Sequence, residues 1–224
     1  MTDASTASAL LDAAEAEFAH AGIEDASLRA IMRAADADPG AIHYHFRTRE
    51  ALAEAVLDRV LRPLNARRLA LLAEAEADCS PGDPVPLERL VEGLIRPDIE
   101  AAVELQARSE GRARLIGAIY IRPADFVEAR VEDHFRPVAA GYLPHLCAAL
   151  PELAADVLSW RVRWCLFGVL GALLSDASAP FAKKPDALVR DLTAASAAAI
   201  AAPHREQPTG QSRCVFDNGL GRRG

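Results

Sequence analysis

No stretch of this chain alternates apolar and polar residues with period two over the length of a strand. Alanine is used heavily and β-branched residues are sparse, so nearly everything between the breakers reads as helix. An all-α fold is expected. With 224 residues, 51% hydrophobic and 25% charged, the chain can bury a real core across one to two domains. The most apolar run, Trp164 to Leu174, is eleven residues long, whereas a bilayer span takes about 20. It reads as a buried helix, and no membrane partner is expected. Acidic residues outnumber basic ones 32 to 25, for a net charge of -7, so the protein is not built to coat nucleic acid non-specifically. Any DNA contact must come from a local basic patch. Cys79, Cys147, Cys165 and Cys214 form no CxxC and no metal-ligand spacing, which fits a reducing cytoplasm. The first 22 residues hold no lysine or arginine, so a secretory signal is not expected either.

Punctuation falls at Gly22, Asp36, Pro39, Arg47-Thr48 and in the proline-rich loop Ser80 to Pro86. Further stops or kinks are expected at Pro97, Gly111, Pro123, Pro137, Pro144, Pro151, Pro180 and Pro185. From Pro203 the apolar periodicity is lost, and residues 203–224 are expected to be a disordered tail.

The first fifty residues carry the most information. Leu11, Ala14, Phe18 and Ala21 share one helical face, and Gly22 ends that helix. Ser27 is placed to N-cap a short helix over Leu28 to Ala35, with Leu28, Ile31 and Ala35 facing inward. Asp36 stands where the turn wants a left-handed residue, which aspartate tolerates. Asp38 then caps a third helix opened by Pro39 and running to His45, with Ile42 and Phe46 on its core side. Thr48 caps a fourth helix, whose apolar positions Leu52, Val56, Val60 and Leu64 are interrupted by Pro63, a candidate hinge. Helix, three-residue turn and short helix make the helix-turn-helix pattern, whose second helix enters the major groove.

The run Phe18 to Leu52 resembles the DNA-binding domain of the tetracycline-repressor (TetR) family of bacterial regulators. The resemblance rests on Phe18 and Gly22, Ser27-Leu28-Arg29 with Ile31, Gly40-Ala41-Ile42, the aromatic cluster to Phe46, and Thr48-Arg49-Glu50-Ala51-Leu52. It departs at Asp36 for the usual glycine, Pro39 for a common lysine and His43 for the usual tyrosine. It implies a homodimer that binds a double-stranded DNA operator, usually as a repressor, and that answers to a small effector.

The residues expected at DNA are Ser27, Leu28, Arg29, Pro39, Gly40, Ala41, His43, Tyr44, His45, Arg47, Thr48 and Arg49. His43, Tyr44 and His45 lie on faces of the recognition helix that Ile42 and Phe46 do not use. Arg49, at a helix N-terminus, is suited to a phosphate; the alternative is a solvated surface charge. Gly40 and Ala41 are small enough to let the backbone approach the groove, or simply to pack tightly. A metal site at His43 and His45 fails because residues two apart on a helix diverge. Residues 1–50 carry four arginines and nine acids, so the acids, six of them before residue 26, are expected to point away from DNA. No phosphate loop, HExxH, GxSxG or GxGxxG occurs, and the one Glu-x-x-His, Glu17 to His20, is half of what a di-iron bundle needs. Neither catalysis nor a cofactor is expected. The competing class is a helical ligand-binding or interaction protein that has lost operator binding.

By the same resemblance, the domain organisation is a three-helix DNA-binding domain over 1–50 and a helical effector-binding and dimerisation domain over 51–202. The aromatic and polar matter for a mostly apolar effector pocket is Tyr120, Phe126, His134, Tyr142, Trp160, Trp164 and Phe167, although ordinary core is the alternative for each. The segment Val157 to Leu174 is apolar on nearly every face, with small residues at Gly168, Gly171 and Ala172. Together with Leu188, Leu192, Ala195 and Ala199 it can form a four-helix dimer interface about a two-fold axis.

Overall fold

The computed structural model describes residues 3–38, 40–108, 125–174 and 184–203, together with Leu115 and Ile119. Pro39, Gly111, Tyr120, Pro123, Pro180 and the tail from residue 204 lie outside the described residues, as does the side chain of Phe126. Eight helices and no strand are found among the described residues, so the fold is all-α. They are α1 (Asp3–Ala21), α2 (Leu28–Ala34), α3 (Ala41–His45), α4 (Arg49–Ala77), α5 (Leu87–Arg108), α6 (Asp125–Ala149), α7 (Ala155–Leu174) and α8 (Pro185–Ile200). None of the described helices is long and apolar enough to cross a membrane.

Local chemistry sets the ends of the first four helices. Gly22 leaves α1 at φ +86°, a left-handed conformation that a side chain resists. The Ser27 hydroxyl accepts the Ala30 N–H at 3.3 Å and Thr48 Oγ1 accepts that of Ala51 at 3.1 Å, so both expected caps are present. Asp36 takes the left-handed turn position at φ +48°. Three details differ from the sequence expectation. α3 begins at Ala41 rather than Pro39, because the Ala41 N–H first closes a turn onto the Asp38 carbonyl at 2.9 Å, and Gly40 becomes the cap. Arg47 adopts a second left-handed turn at φ +66°. The inner stripe of α1 is Leu10, Ala14 and Phe18, all fully buried, while Leu11 and Ala21 are half-buried.

The longer helices run through their prolines. Pro63 in α4, Pro97 in α5, and Pro137 and Pro144 in α6 all lie inside continuous helix. An interior proline forfeits one hydrogen bond at roughly 3 kcal/mol, a penalty these helices bear because they are held along their length by packing.

Two apolar cores result. One gathers Phe18, Ile31, Ile42, Leu52 and Val56 beneath the helix-turn-helix, and Leu170 of α7 belongs to it. The other joins α4, α5, α6, α7 and α8 around residues such as Leu90, Ile95, Val138, Leu158 and Val189. α4 contributes to both, so one 29-residue helix runs from one core to the other. Polar pins sit between the layers. Arg161 of α7, mostly buried, donates to the Ile200 carbonyl at 2.6 Å and to the Ala202 carbonyl, which caps α8. At Gly93 an added Cβ would stand 2.5 Å from the Tyr142 hydroxyl, so α5 and α6 approach as closely as they do only because that position is glycine.

Candidate nucleic-acid interface and ligand cavity

α3 shows two distinct faces. Ile42 is buried and Phe46 packs against the N-terminal core, whereas Tyr44 is 74% exposed and His43 is exposed beside it. The rings of Tyr44 and His45 meet edge-on with centroids 5.0 Å apart. His43 Nδ1 lies 3.0 Å from the Arg47 carbonyl; a carbonyl can only accept, so Nδ1 carries the hydrogen and Nε2 keeps its acceptor lone pair in the neutral ring. This bond also holds the left-handed residue Arg47 against the end of α3. Nothing stands within 4 Å of a Cβ built at Gly40, so tight packing does not explain that glycine. Ser27, Arg29, Arg47 and Thr48 are exposed around α3, while Leu28 and Ala41 are half-buried.

Arg49 has a different neighbourhood from the one its position suggests. Its guanidinium is half-buried and donates to the Ala26 carbonyl, tying the start of α4 to the loop before α2. The acids of α1 are also engaged. Arg59 of α4 pairs with Asp12 and, at 2.7 Å, with the buried Glu15, while Glu17 accepts the Ser27 N–H at 3.0 Å. Three of the acids of α1 thus hold it against α4 and the start of α2. Arg59 lies more than forty residues along the chain from its partners, so no local pattern could have shown it.

A cavity of about 260 Å³ lies between α5, α6 and α7. Leu94 comes from α5, Val131, Phe135, Val138 and Leu146 from α6, and Leu166 and Leu170 from α7. Of the aromatic side chains expected there, Tyr142 and Phe167 line it. Trp160 and Trp164 do not: they are 60% and 58% exposed on the outer face of α7. His134 faces instead a polar groove between α4 and α6, with Asp58, Arg62, Arg130 and Asp133. The aromatic composition of α7 does not reveal which side turns inward. Leu158, Cys165, Val169 and Leu173 fill that side and force the tryptophans out.

Among the described residues, the most buried polar side chain bonds to residues of this cavity's wall. Arg68 of α4, fully buried, donates to the Leu94 carbonyl at 2.9 Å, to Asn65 Oδ1 at 2.8 Å and to Asp98 Oδ2, and its guanidinium lies 5.0 Å from the centre of the Phe135 ring. Tyr142 donates to the Arg68 carbonyl at 2.7 Å, and burial pushes its phenol well above the ordinary tyrosine range. Burial likewise pushes the Asp98 carboxyl up, with Arg68 pulling it down. Sequence reasoning missed both Arg68 and Asp98. The signal was there for Arg68, which shares an apolar helical stripe with Leu61, Leu64 and Leu72.

The outer face of α7 is an exposed apolar patch. Trp160, Trp164 and the 42%-exposed Phe167 run along it beside Gly168 and Gly171, and an added Cβ at either glycine would meet nothing within 4 Å. Ala172 is half-buried next to them. On α8, Ala195 is exposed and Leu192 and Ala199 are half-buried. Leu188, expected at the interface, is buried in the core of its own chain because its side of α8 packs on α5.

The helix-turn-helix region matches the family model for bacterial regulatory proteins of the tetR family over residues 10–56. Residues 92–200 match that of the tetracyclin repressor-like C-terminal domain. Among curated proteins no match is found. Solved structures of the same architecture include NalD, the secondary repressor of the MexAB-OprM multidrug efflux pump in Pseudomonas aeruginosa, at 20% identity and a TM-score of 0.61, covering 87% of this chain and 96% of that one. The fatty acid degradation regulator FadR from Bacillus halodurans gives 12% identity and a TM-score of 0.62, covering 86% and 94%. SmeT in complex with triclosan gives 21% and 0.54, covering 85% and 90%. Matched by the family's models at both its DNA-binding and its C-terminal region, the chain belongs to the TetR family of bacterial transcription regulators.

Proposed function

We propose that this protein is a cytoplasmic transcriptional repressor that binds a palindromic operator as a homodimer and is released by a small, mostly apolar effector. The observation that carries the reading is Tyr44, a large side chain 74% exposed on the helix that follows the left-handed turn at Asp36. On the second helix of a helix-turn-helix that exposed ring and hydroxyl are placed to meet base edges and phosphates in the major groove. In this reading residues 1–50 read DNA, and residues 51–202 bind the effector and the second subunit. His43, His45 and Arg29 join Tyr44 at the groove. Ser27, Leu28, Pro39, Gly40, Ala41, Arg47 and Thr48 set the backbone approach, and Arg49 positions the start of α4.

The effector occupies the cavity between α5, α6 and α7. Its wall includes Leu170, Phe135 and Val131, which also touch the core beneath the helix-turn-helix, so a filled cavity presses on the DNA-binding end through shared side chains. The triclosan complex of SmeT is an example of a small ligand on this architecture. The exposed patch of Trp160, Trp164, Phe167, Gly168 and Gly171, with Ala172, Leu192, Ala195 and Ala199 alongside, forms the dimer face. A contiguous row of two tryptophans and a phenylalanine exposed on one helix marks an interaction surface.

Mobility shift with DNA from the protein's own upstream region tests the reading. Tyr44→Ala and His43→Ala are each expected to weaken binding by roughly 1–3 kcal/mol without changing the fold. Parent-like binding by both variants would sink the recognition-helix assignment. Absence of any shift by the parent protein would favour the ligand-binding module without an operator.

A further inference from the structure

Inside the apolar cavity one polar group is incompletely bonded. Asp98 lines the wall and is 1% exposed. Its Oδ2 is taken by Arg68, whereas Oδ1 is buried with no hydrogen-bond donor among the described residues. A buried carboxylate oxygen without a donor is costly, and native proteins keep such groups only where something else satisfies them. The neighbouring wall residues, Leu94, Phe135, Val138 and Leu146, offer no donor side chain, and the two donors that α7 brings to the wall, Ser159 and Arg163, are exposed and do not bond Oδ1. The nearby Tyr142 hydroxyl already donates to the Arg68 carbonyl.

We propose that Asp98 is the recognition point of this cavity, and that the ligand is a small neutral apolar molecule bearing one O–H or N–H group that donates to Asp98 Oδ1. The inference rests on the cavity being the effector site, as proposed above. Charge selects neutrality: Arg68 already balances the carboxylate, and the other charged lining residues, Glu132 and Arg163, are exposed and of opposite sign, so a cationic ligand would bring an uncompensated charge into the buried part of the site. An anion would face the carboxylate directly. Size selects a compact molecule, since about 260 Å³ lies just below the usual ligand-pocket range of roughly 300–1,000 Å³. The position also matters for signalling. Asp98 is one bond from Arg68 on α4, so a ligand that recruits Oδ1 acts on the partner of the helix that enters the DNA-binding core.

Calorimetric titration of the full-length protein with para-phenylphenol and with para-methylbiphenyl tests this, because the two differ only by hydroxyl against methyl. The phenol is expected to bind roughly tenfold more tightly or better, the value of a hydrogen bond to a buried charged acceptor. In the double variant Arg68→Met/Asp98→Leu, which removes both charges together, the preference should reverse, since the hydroxyl then loses water without a partner. Leu166→Trp, which fills the cavity, should abolish binding of both compounds. Equal or weaker binding of the phenol by the wild-type protein, with Leu166→Trp still blocking both, overturns the Asp98 proposal and leaves the cavity reading standing. Binding that survives Leu166→Trp, or no binding of either compound, overturns the cavity reading and the proposal with it. Should the double variant fail to fold by circular dichroism, the wild-type preference alone decides.

Discussion

Replacing Arg68 with methionine keeps an unbranched apolar stem and removes the charge. In the folded protein Asp98 is then left 1% exposed with no cation beside it, and the bonds to Asn65 Oδ1 and the Leu94 carbonyl go as well. Breaking a buried pair from one side costs about 3–5 kcal/mol, and lost contact with the Phe135 ring adds within that range rather than on top of it. About 4 kcal/mol is a large part of the stability of a domain this size. The double variant Arg68→Met/Asp98→Leu removes both charges, so it should lie within about 1 kcal/mol of the parent or above it. Urea unfolding followed by circular dichroism, at one fixed protein concentration because dimerisation would link stability to concentration, gives both values. The pH dependence has a definite sign. Burial already holds the Asp98 carboxyl above its ordinary value of 3.8, and without Arg68 it moves higher still. A group raised in the folded state contributes stability that is present below its unfolded value and lost as pH rises through the folded one. The deficit of Arg68→Met should therefore be full at neutral pH and shrink on acidification. A loss below about 1 kcal/mol, or a double variant as unstable as the single one, would refute the reasoning.

Two other perturbations probe the packing and the assembly. Gly93→Ala sets a methyl 2.5 Å from the Tyr142 hydroxyl and should cost about 1–3 kcal/mol in thermal unfolding, with part of the loss recovered in Gly93→Ala/Tyr142→Phe; an unchanged melting temperature would contradict the close approach of α5 and α6. Trp164→Glu adds a charge to a side chain already 58% exposed, so the chain should stay folded yet sediment as a 24.0 kDa monomer that no longer shifts DNA; a stable dimer would remove α7 from the interface.

What the sequence could reveal followed the range of the forces involved. Ser27, Asp36 and Thr48 were legible because a cap or a left-handed turn is decided within three or four residues. The start of α3 was misplaced by two residues because a backbone turn at Asp38 competes with capping by its side chain, and sequence does not rank the two. The inner face of α7 was not legible at all. A helix apolar on nearly every face carries little amphipathic signal, so Trp160 and Trp164 could be assigned inward or outward with equal ease. Arg68 and Asp98 lie thirty residues apart, and Arg59 lies farther still from Asp12. Only packing brings such partners together, and no local pattern encodes it.

The DNA that the protein selects tests the helix-turn-helix assignment most directly. Genomic fragments retained by the purified protein, when sequenced, should share an inverted repeat whose half-site centres lie about 34–36 Å apart, the spacing that two α3 helices related by a two-fold axis impose. Tyr44→Ala should lose that enrichment while staying dimeric. Fragments with no common sequence, or a single unsymmetrical site retained equally by Tyr44→Ala, would contradict it.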